Sequence, residues 1–424
     1  MARKRNINLA DYDWLSILLY LALVITGIVM VYTVDYYHSN GQNIFHGYHV
    51  KQAFWFGISL ISILLLSLVE KKFIREWSSL FYLSGLLLLA GLFIAGKEVS
   101  GARSWYSFGI FSFQPSELAK LTTALGLAKL INEPGFNLRS MRDLFKAVIL
   151  IAAPALLILL QPDLGTTLLF GAFVLVLFRE GMSASLLGIT VWAIVVFVLA
   201  LYFPLRPIII WTSVTGLIVI AVIYAKIKKN RTAPVALTAG FVLMTVGWAW
   251  VSQFAFHHIL KPHQQKRIEI ILGKIHDAKG SGYHLRQSLI AVGNGGFAGE
   301  GFLNGSQLRG KYIPEQHTDY IFTTVAEQFG WLGTTVFLLL YLLLIIRLFF
   351  LAERQKNRFS RIVGYSLASL LSFHLFLNVM MVLGLFPTIG IPIPFVSYGG
   401  TSLWIFSIFL FLFLKLDAHR VEEW

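Results

Sequence analysis

The 424 residues are 57% hydrophobic and 15% aromatic but only 13% charged, against about 25% charged in soluble domains, which excludes an ordinary soluble or disordered chain. There is no cysteine, so a disulfide framework, a thiol nucleophile and a Cys-bearing zinc or iron–sulfur site are excluded as well. The net charge of +14 lies in short Lys/Arg clusters between apolar runs, the pattern of membrane topology signals rather than of nucleic-acid binding.

Apolar runs near 20 residues, the length that crosses roughly 30 Å of hydrocarbon, predict spans at 14–34, 53–69, 79–96, 115–131, 146–161, 164–179, 184–203, 207–225, 234–257, 319–350, 361–385 and 399–416. The fold class is an all-α polytopic membrane protein with about 10–12 transmembrane helices, read as one membrane domain over 1–424. The first span, behind the charged residues 1–5, reads as a retained signal anchor, since no small-residue cleavage site precedes Asp35. Basic clusters at 2–5, 71–75, 139–146, 226–231, 347–361 and 415–419 all fall on one side with twelve spans. Both termini are therefore expected in the cytoplasm. The other face receives 35–52, 97–114, the tight turn at Pro162, 204–207, 386–398 and the long loop 258–318. A loop of about 60 residues is too long for a passive connector. Its stretch 285–292 is amphipathic enough for a short interfacial helix.

Few acidic residues sit at span ends, and ionisable groups at membrane depth mark function by default. They are Glu117, Asp163, Glu315, Asp319 and Glu327, and all but Glu327 are placed on the outer half. Asp319 stands where the long loop becomes a helix, with Thr318 as N-cap. A helix-start carboxylate favoured by the macrodipole and a functional acid are both open there. Thr323 and Glu327 follow at i+4 and i+8, a polar stripe expected to face a cavity. In QPSELAK, Pro115 and Ser116 signal a helix start, and Glu117 and Lys120 share a face as an ion pair. Gln114 precedes them. Arg103 and Trp105, upstream, suit a phosphate and a sugar ring as well as an interfacial belt. Asp163 in QPDLGT reads as a turn residue capping the next helix or as a site acid. Ser397 and Tyr398 offer hydroxyls in the proline-kinked loop 387–401. Glu315 and His317 complete the polar group around Asp319. No firm metal spacing occurs among the histidines: His257, His258 and His263 make only a weak cluster. The glycine-rich 293–301 lacks the strand–turn–helix setting of a dinucleotide site.

Taken together, QPSELAK, QPDLGT, GSGYHLRQS with GNGGFAGEGF, PEQHTDYIF and PFVSYGGTS resemble the SEDS family, the bacterial membrane glycosyltransferases of shape, division and sporulation. The likeness runs nearly the whole chain, and is closer to the elongation branch than to the division branch. Members usually have ten spans, so 207–257 looks like an additional hairpin. The resemblance implies the SEDS fold and polymerisation of lipid II, the undecaprenyl-pyrophosphate-linked disaccharide pentapeptide, outside the cytoplasmic membrane. It also implies that Asp319 is the essential acid and that a class B penicillin-binding protein transpeptidase is the partner. Arg103, Lys120 or a divalent cation such as Mg or Mn would stabilise the leaving pyrophosphate. Arg103, Trp105, Gln114, Glu117, Lys120, Asp163, Glu315, His317, Thr318, Ser397 and Tyr398 are the expected substrate-binding residues. A flippase for lipid-linked precursor is the alternative from another class; a division-type member is the alternative within this one.

Overall fold

The computed structural model describes residues 11–38, 47–99, 101–109, 111–226, 232–258, 260, 262–275 and 280–420. The basic cluster 2–5, most of 226–231 and the side chain of His263 lie outside the described residues. Two compact units emerge, one of Met1–Met182 with Tyr283–Trp424 and one of Ser183–Gly282.

The first unit opens with α1 (Trp14–His38), α2 (Tyr48–Leu68) and α3 (Lys71–Ala95), followed by an antiparallel sheet of β1 (Lys97–Val99), β2 (Ala102–Ser107) and β3 (Ser112–Phe113) in that order. No strand was expected there. The run Ala-Arg-Ser-Trp-Tyr-Ser is too polar to enter lipid and carries the aromatic residues that favour strands, so the connector pairs with itself. Next come α4 (Pro115–Ile131) and α5 (Met141–Leu160). After them lie α6 (Leu164–Leu169), a 3-10 turn at Phe170–Ala172 and α7 (Phe173–Arg179), which together form one apolar segment. Pro115 at the first helical position starts α4, because its missing N–H would be unpaired there anyway. Asp163 caps α6, accepting from Thr166 N–H at 3.0 Å.

The second unit holds α8 (Ala184–Tyr202), α9 (Leu205–Lys226), α10 (Thr232–His258) and α11 (Pro262–Ile271). Val196, Ala200, Ile208 and Ala249 form its small core, with Trp192 and Leu205 against it. The expected hairpin at 207–257 is thus a pair of helices, α9 and α10.

Helix α12 (Ser281–Asn294) occupies the place of the expected short helix at 285–292 and runs longer. Then follow α13 (Ser306–Gly310), α14 (Ile321–Glu353), α15 (Arg358–Val382) and α16 (Gly400–Ala418). Ten helices among the described residues are long and apolar enough to cross a membrane. In α15 and α16 the most apolar stretch is 72% buried, against 11% in α2, so α15 and α16 form the centre of the first unit and α2 its rim. Charged pairs fasten one end of this unit: Arg347–Asp13, Arg354–Asp417, Arg179–Glu353, and Glu180 between Arg358 and Arg361.

The span expected over 319–350 is interrupted. At about 1.5 Å per residue, 33 helical residues would reach ~50 Å, longer than a bilayer core, and the helix breaks at Gly330 (φ 60°, ψ −156°). Residues 295–301 fill the break. The N–H groups of Glu300 and Gly301 donate to the carbonyls of Glu327 and Gln328 at 2.9 and 3.0 Å, and those of Trp331 and Leu332 donate to Gly296 and Phe297 at 2.9 and 3.1 Å. A broken helix frees backbone groups that cannot stay unpaired in a dry interior, and the loop takes all four. A side chain at Gly299 would overlap the Gln328 carbonyl, and one at Gly330 would overlap the Gly299 amide. Backbone lies on backbone here, which accounts for the glycine density of the segment.

Candidate functional site

The polar residues converge on one loop, 387–399, between α15 and α16. Its path is set by Pro387, Pro392 and Pro394, which cannot continue a helix ladder. Gly390 turns it at φ 70°. Each nearby helix touches this loop with a specific group. Gln52 of α2 donates to the Val396 carbonyl at 3.2 Å. The backbone at Gly165 of α6 abuts the Ile389 carbonyl so closely that a side chain there would clash. His374 of α15 meets the Pro392 carbonyl at 2.8 Å, and Tyr398 N–H donates to the His317 carbonyl at 2.8 Å.

Asp319 approaches the loop from the other side and is half-buried. Its N–H donates to the Glu315 carbonyl at 3.1 Å. Its own carbonyl is taken by the side-chain amide of Asn378 at 2.8 Å. A Cβ built on Gly390 would lie 3.0 Å from Asp319 Oδ2, so the carboxylate lies beside the loop at a glycine where a side chain would crowd it. Thr318 is not the N-cap. That position falls to Tyr320, which makes no side-chain cap bond, and the Thr318 hydroxyl instead donates to the Glu315 carbonyl at 3.1 Å. The helix starts two residues later than expected because Glu315 already closes a turn onto Thr318 and Asp319 N–H.

His317 and Tyr398 meet Tyr48, which sequence reading missed. The His317 and Tyr48 rings stack with centroids 4.1 Å apart and 13° between planes, and Tyr398 lies 4.7 Å from Tyr48. Burial lowers the His317 pKa against the opposing pull of Glu315, whose carboxylate is 3.8 Å away. Burial, with Tyr48 and Asp35 adding to it, pushes the Tyr398 hydroxyl up to about 12. Both groups are therefore uncharged near neutral pH. The Ser397 hydroxyl accepts from Ile393 N–H at 2.8 Å and serves the loop.

The second group lies under the same loop. Lys120 donates to Glu117 at 2.8 Å and lies 3.0 Å from His374 Nε2, with all three side chains buried. Asp163 senses both members of the pair. Burial raises its carboxyl pKa, the Thr166 bonds and Lys120 lower it, and Glu117 raises it further; the net shift is upward. Ser116 Oγ, Glu117 Oε2 and Ser402 Oγ are buried without a hydrogen-bond partner, which marks this region as unusually rich in unspent polar capacity. Gln114 N–H donates to the Thr401 hydroxyl at 3.4 Å, and that hydroxyl donates to the Ser112 carbonyl at 3.2 Å.

Arg103 and Trp105 stand apart on β2. Arg103 is exposed and loosely paired with Glu98 at 3.6 Å. Along the stripe from Asp319, Thr323 and Glu327 are fully buried and bonded to protein. Thr323 bonds back to the Tyr320 carbonyl at 2.6 Å, and Glu327 accepts from Gln307 N–H at 2.6 Å and Leu308 N–H at 3.3 Å. Glu327 caps the long loop. His374 and Asn378 were missed too, although two polar residues four apart in the apolar helix SFHLFLNVM were a readable signal. Among the described residues no three His, Asp or Glu side chains converge to hold a metal ion.

The family described as "Cell cycle protein", which groups FtsW, RodA and SpoVE, matches residues 13–210 and 213–422. The chain is 29% identical to the peptidoglycan glycosyltransferase MrdB of Escherichia coli, over 96% of this chain and 94% of that protein. It is also 29% identical to the peptidoglycan glycosyltransferase RodA of Treponema pallidum, over 98% and 99%. A chain of a solved peptidoglycan synthase complex, described as coordinating polymerization and crosslinking, superposes with a TM-score of 0.70 at 26% identity over 97% and 99% of the two chains. Thermus thermophilus RodA has the same fold, with a TM-score of 0.62 at 23% identity over 97% and 98%. The motifs, the helix order and these full-length matches lead to one conclusion: the chain belongs to the FtsW/RodA/SpoVE family.

Proposed function

We propose that this protein is a peptidoglycan glycosyltransferase that polymerises lipid II on the outer face of the bacterial cytoplasmic membrane during elongation and shape maintenance. The observation that carries the site is Asp319, a carboxylate with both backbone groups anchored, resting on the loop where the polar side chains converge. The sugar hydroxyl of the acceptor attacks the anomeric carbon of the donor. The C–O bond to the lipid pyrophosphate breaks, and the hydroxyl proton passes to the Asp319 carboxylate. A positioned base of this kind contributes typically 10²–10⁴-fold. One carboxylate acting in one displacement inverts the anomeric centre.

The leaving pyrophosphate carries the growing negative charge. Lys120 is a fixed charge already bonded to Glu117 and His374, so its contribution is a field from below. Arg103 is exposed on β2, and of the two it is the one able to reach a phosphate by moving its side chain. Among the described residues no three carboxylates or histidines converge, so a divalent cation here would be held by one or two carboxylates together with the substrate's own phosphates. The uncharged faces of Tyr48, His317 and Tyr398 suit a sugar ring.

Purified protein in lipid vesicles, given lipid II, tests this reading. Wild type should produce glycan strands, and Asp319→Asn, which keeps the shape and removes the base, should insert normally and produce none. Strand synthesis by Asp319→Asn at the wild-type rate would reduce Asp319 to a structural residue. A reporter joined after Asn304 should read as extracytoplasmic and one after Glu133 as cytoplasmic. The reverse would place the site away from exported substrate.

A further inference from the structure

We infer that Asn378 is a positioning residue for Asp319, an inference that rests on the reading of Asp319 as the base. Asn378 sits on α15, fully buried. Its amide donates one proton to the Asp319 carbonyl at 2.8 Å and the other to the Ile391 carbonyl at 2.6 Å. An amide has two donors, and both are spent on the two pieces of backbone that define where the carboxylate lies. One is Asp319 itself. The other is the residue after Gly390, the glycine beside which the Asp319 carboxylate lies.

The helix ladder leaves this role open. Thr323 N–H, which would ordinarily reach back four residues to the Asp319 carbonyl, bonds to the Tyr320 carbonyl at 2.9 Å instead. The Asp319 carbonyl is thus outside the ladder and held by a side chain from another helix. Ile391 also lies in the proline-rich loop, where no regular partner is offered to its carbonyl. Asn378 therefore fixes the separation between a site acid and the loop that shapes its surroundings. Its own Oδ1 has no hydrogen-bond partner, so the residue is present for its two donors.

A carboxylate displaced by about 1 Å from its productive position can lose ~10²-fold in rate without loss of binding. Reconstituted Asn378→Ala, assayed for lipid II polymerisation, should lose about 10–100-fold in kcat with KM within about twofold of wild type. Asn378→Ser, which keeps one donor, should fall between wild type and Ala. Ser407→Ala, which breaks a buried 2.7 Å bond to Tyr20, controls for lost stability and should lower the melting midpoint with kcat unchanged. A folded Asn378→Ala with wild-type kcat, or with a loss shared equally by the Ser407 control, overturns the inference. If Asn378→Ala does not fold, the Ser variant decides by the same criterion. Asp319→Asn is run alongside: an active Asp319→Asn defeats the base reading itself, whereas an inert one beside a fully active Asn378→Ala defeats only the positioning role.

Discussion

Lys120 and His374 meet end to end, Nζ to Nε2 at 3.0 Å, while His374 Nδ1 faces the Pro392 carbonyl at 2.8 Å. A carbonyl accepts only from an N–H, so Nδ1 carries the proton and Nε2 is the acceptor for the ammonium. The ion pair on α4 is thereby connected through one imidazole to the loop beside Asp319.

Removing one member of that chain should be costly. Lys120→Met leaves the Glu117 carboxylate buried without its cation, which typically costs 3–5 kcal/mol, about the value expected here. Glu117→Gln combined with Lys120→Met should recover at least half of it. Melting midpoints in nanodiscs measure both, and a Lys120→Met variant that melts with wild type would show that the pair contributes nothing.

The stitched break in α14 gives a second expectation. Gly299→Ala and Gly330→Ala each force a methyl group into facing backbone at a positive-φ position. Overpacking and left-handed strain together should cost about 2–4 kcal/mol. Gly57→Ala on α2, where a methyl group meets nothing within 4 Å, should be neutral or slightly stabilising. Hydrogen exchange should speed up over 321–329 in the first two only. Equal exchange in all three would mean that the loop does not hold the helix ends.

Glu180 makes stability depend on acid. Burial alone would raise its carboxyl pKa, but the Arg361 and Arg358 bonds outweigh burial and hold it below the ordinary value. A depressed folded-state pKa adds stability that is complete above the unfolded value of about 4.3 and is lost as pH falls through the folded one. Glu180→Gln should therefore melt below wild type at pH 7, and the gap should close below about pH 4.3. A gap that is constant from pH 7 to pH 3.5 would contradict the assignment.

Of the surfaces proposed for a transpeptidase partner, α10 and the last two helices, α10 is the more exposed. The most apolar stretch of α10 is only 17% buried, against 72% in α15 and α16, so the single span of a class B penicillin-binding protein is expected on α10 rather than on the last two helices. Tethering brings a crosslinking enzyme to an effective concentration of about the millimolar range, and the co-purified partner should also raise polymerisation several-fold by ordering residues 280–311 around the donor. Charged substitutions at the exposed Leu237 and Leu243 should abolish the gain and spare the basal rate. Equal rates with and without partner would leave co-localisation only.

The helices were legible because about 20 apolar residues have one stable form in lipid, so each of the twelve runs coincides with helix. The Glu117–Lys120 pair and the Asp163 cap were legible because their spacing is local. What escaped is long-range. PFVSYGG and PEQHTDYIF are some 70 residues apart, and nothing in either shows that Tyr398 N–H reaches the His317 carbonyl. The bonds from Glu327 to Gln307 and Leu308 N–H escaped because periodicity gives the face of a helix but not what lies against it. The Thr318 cap failed for a related reason: Glu315 competes for the same turn. The glycines of 293–301 were visible as a group, but the helix they enter was not.

The break at Gly330 also decides how bilayer deformation reaches the chemistry. An unbroken rod from Asp319 to Glu353 would act as a lever, converting any tilt forced by thinner or thicker lipid into displacement at its tip. Membranes do differ in thickness by several ångströms, and spanning helices accommodate this by tilting. Here residues 295–301 are bonded to both sides of the break, to Glu327 and Gln328 before it and to Trp331 and Leu332 after it. A tilt of 331–353 is therefore shared between 321–329 and the loop that grips both sides of the break.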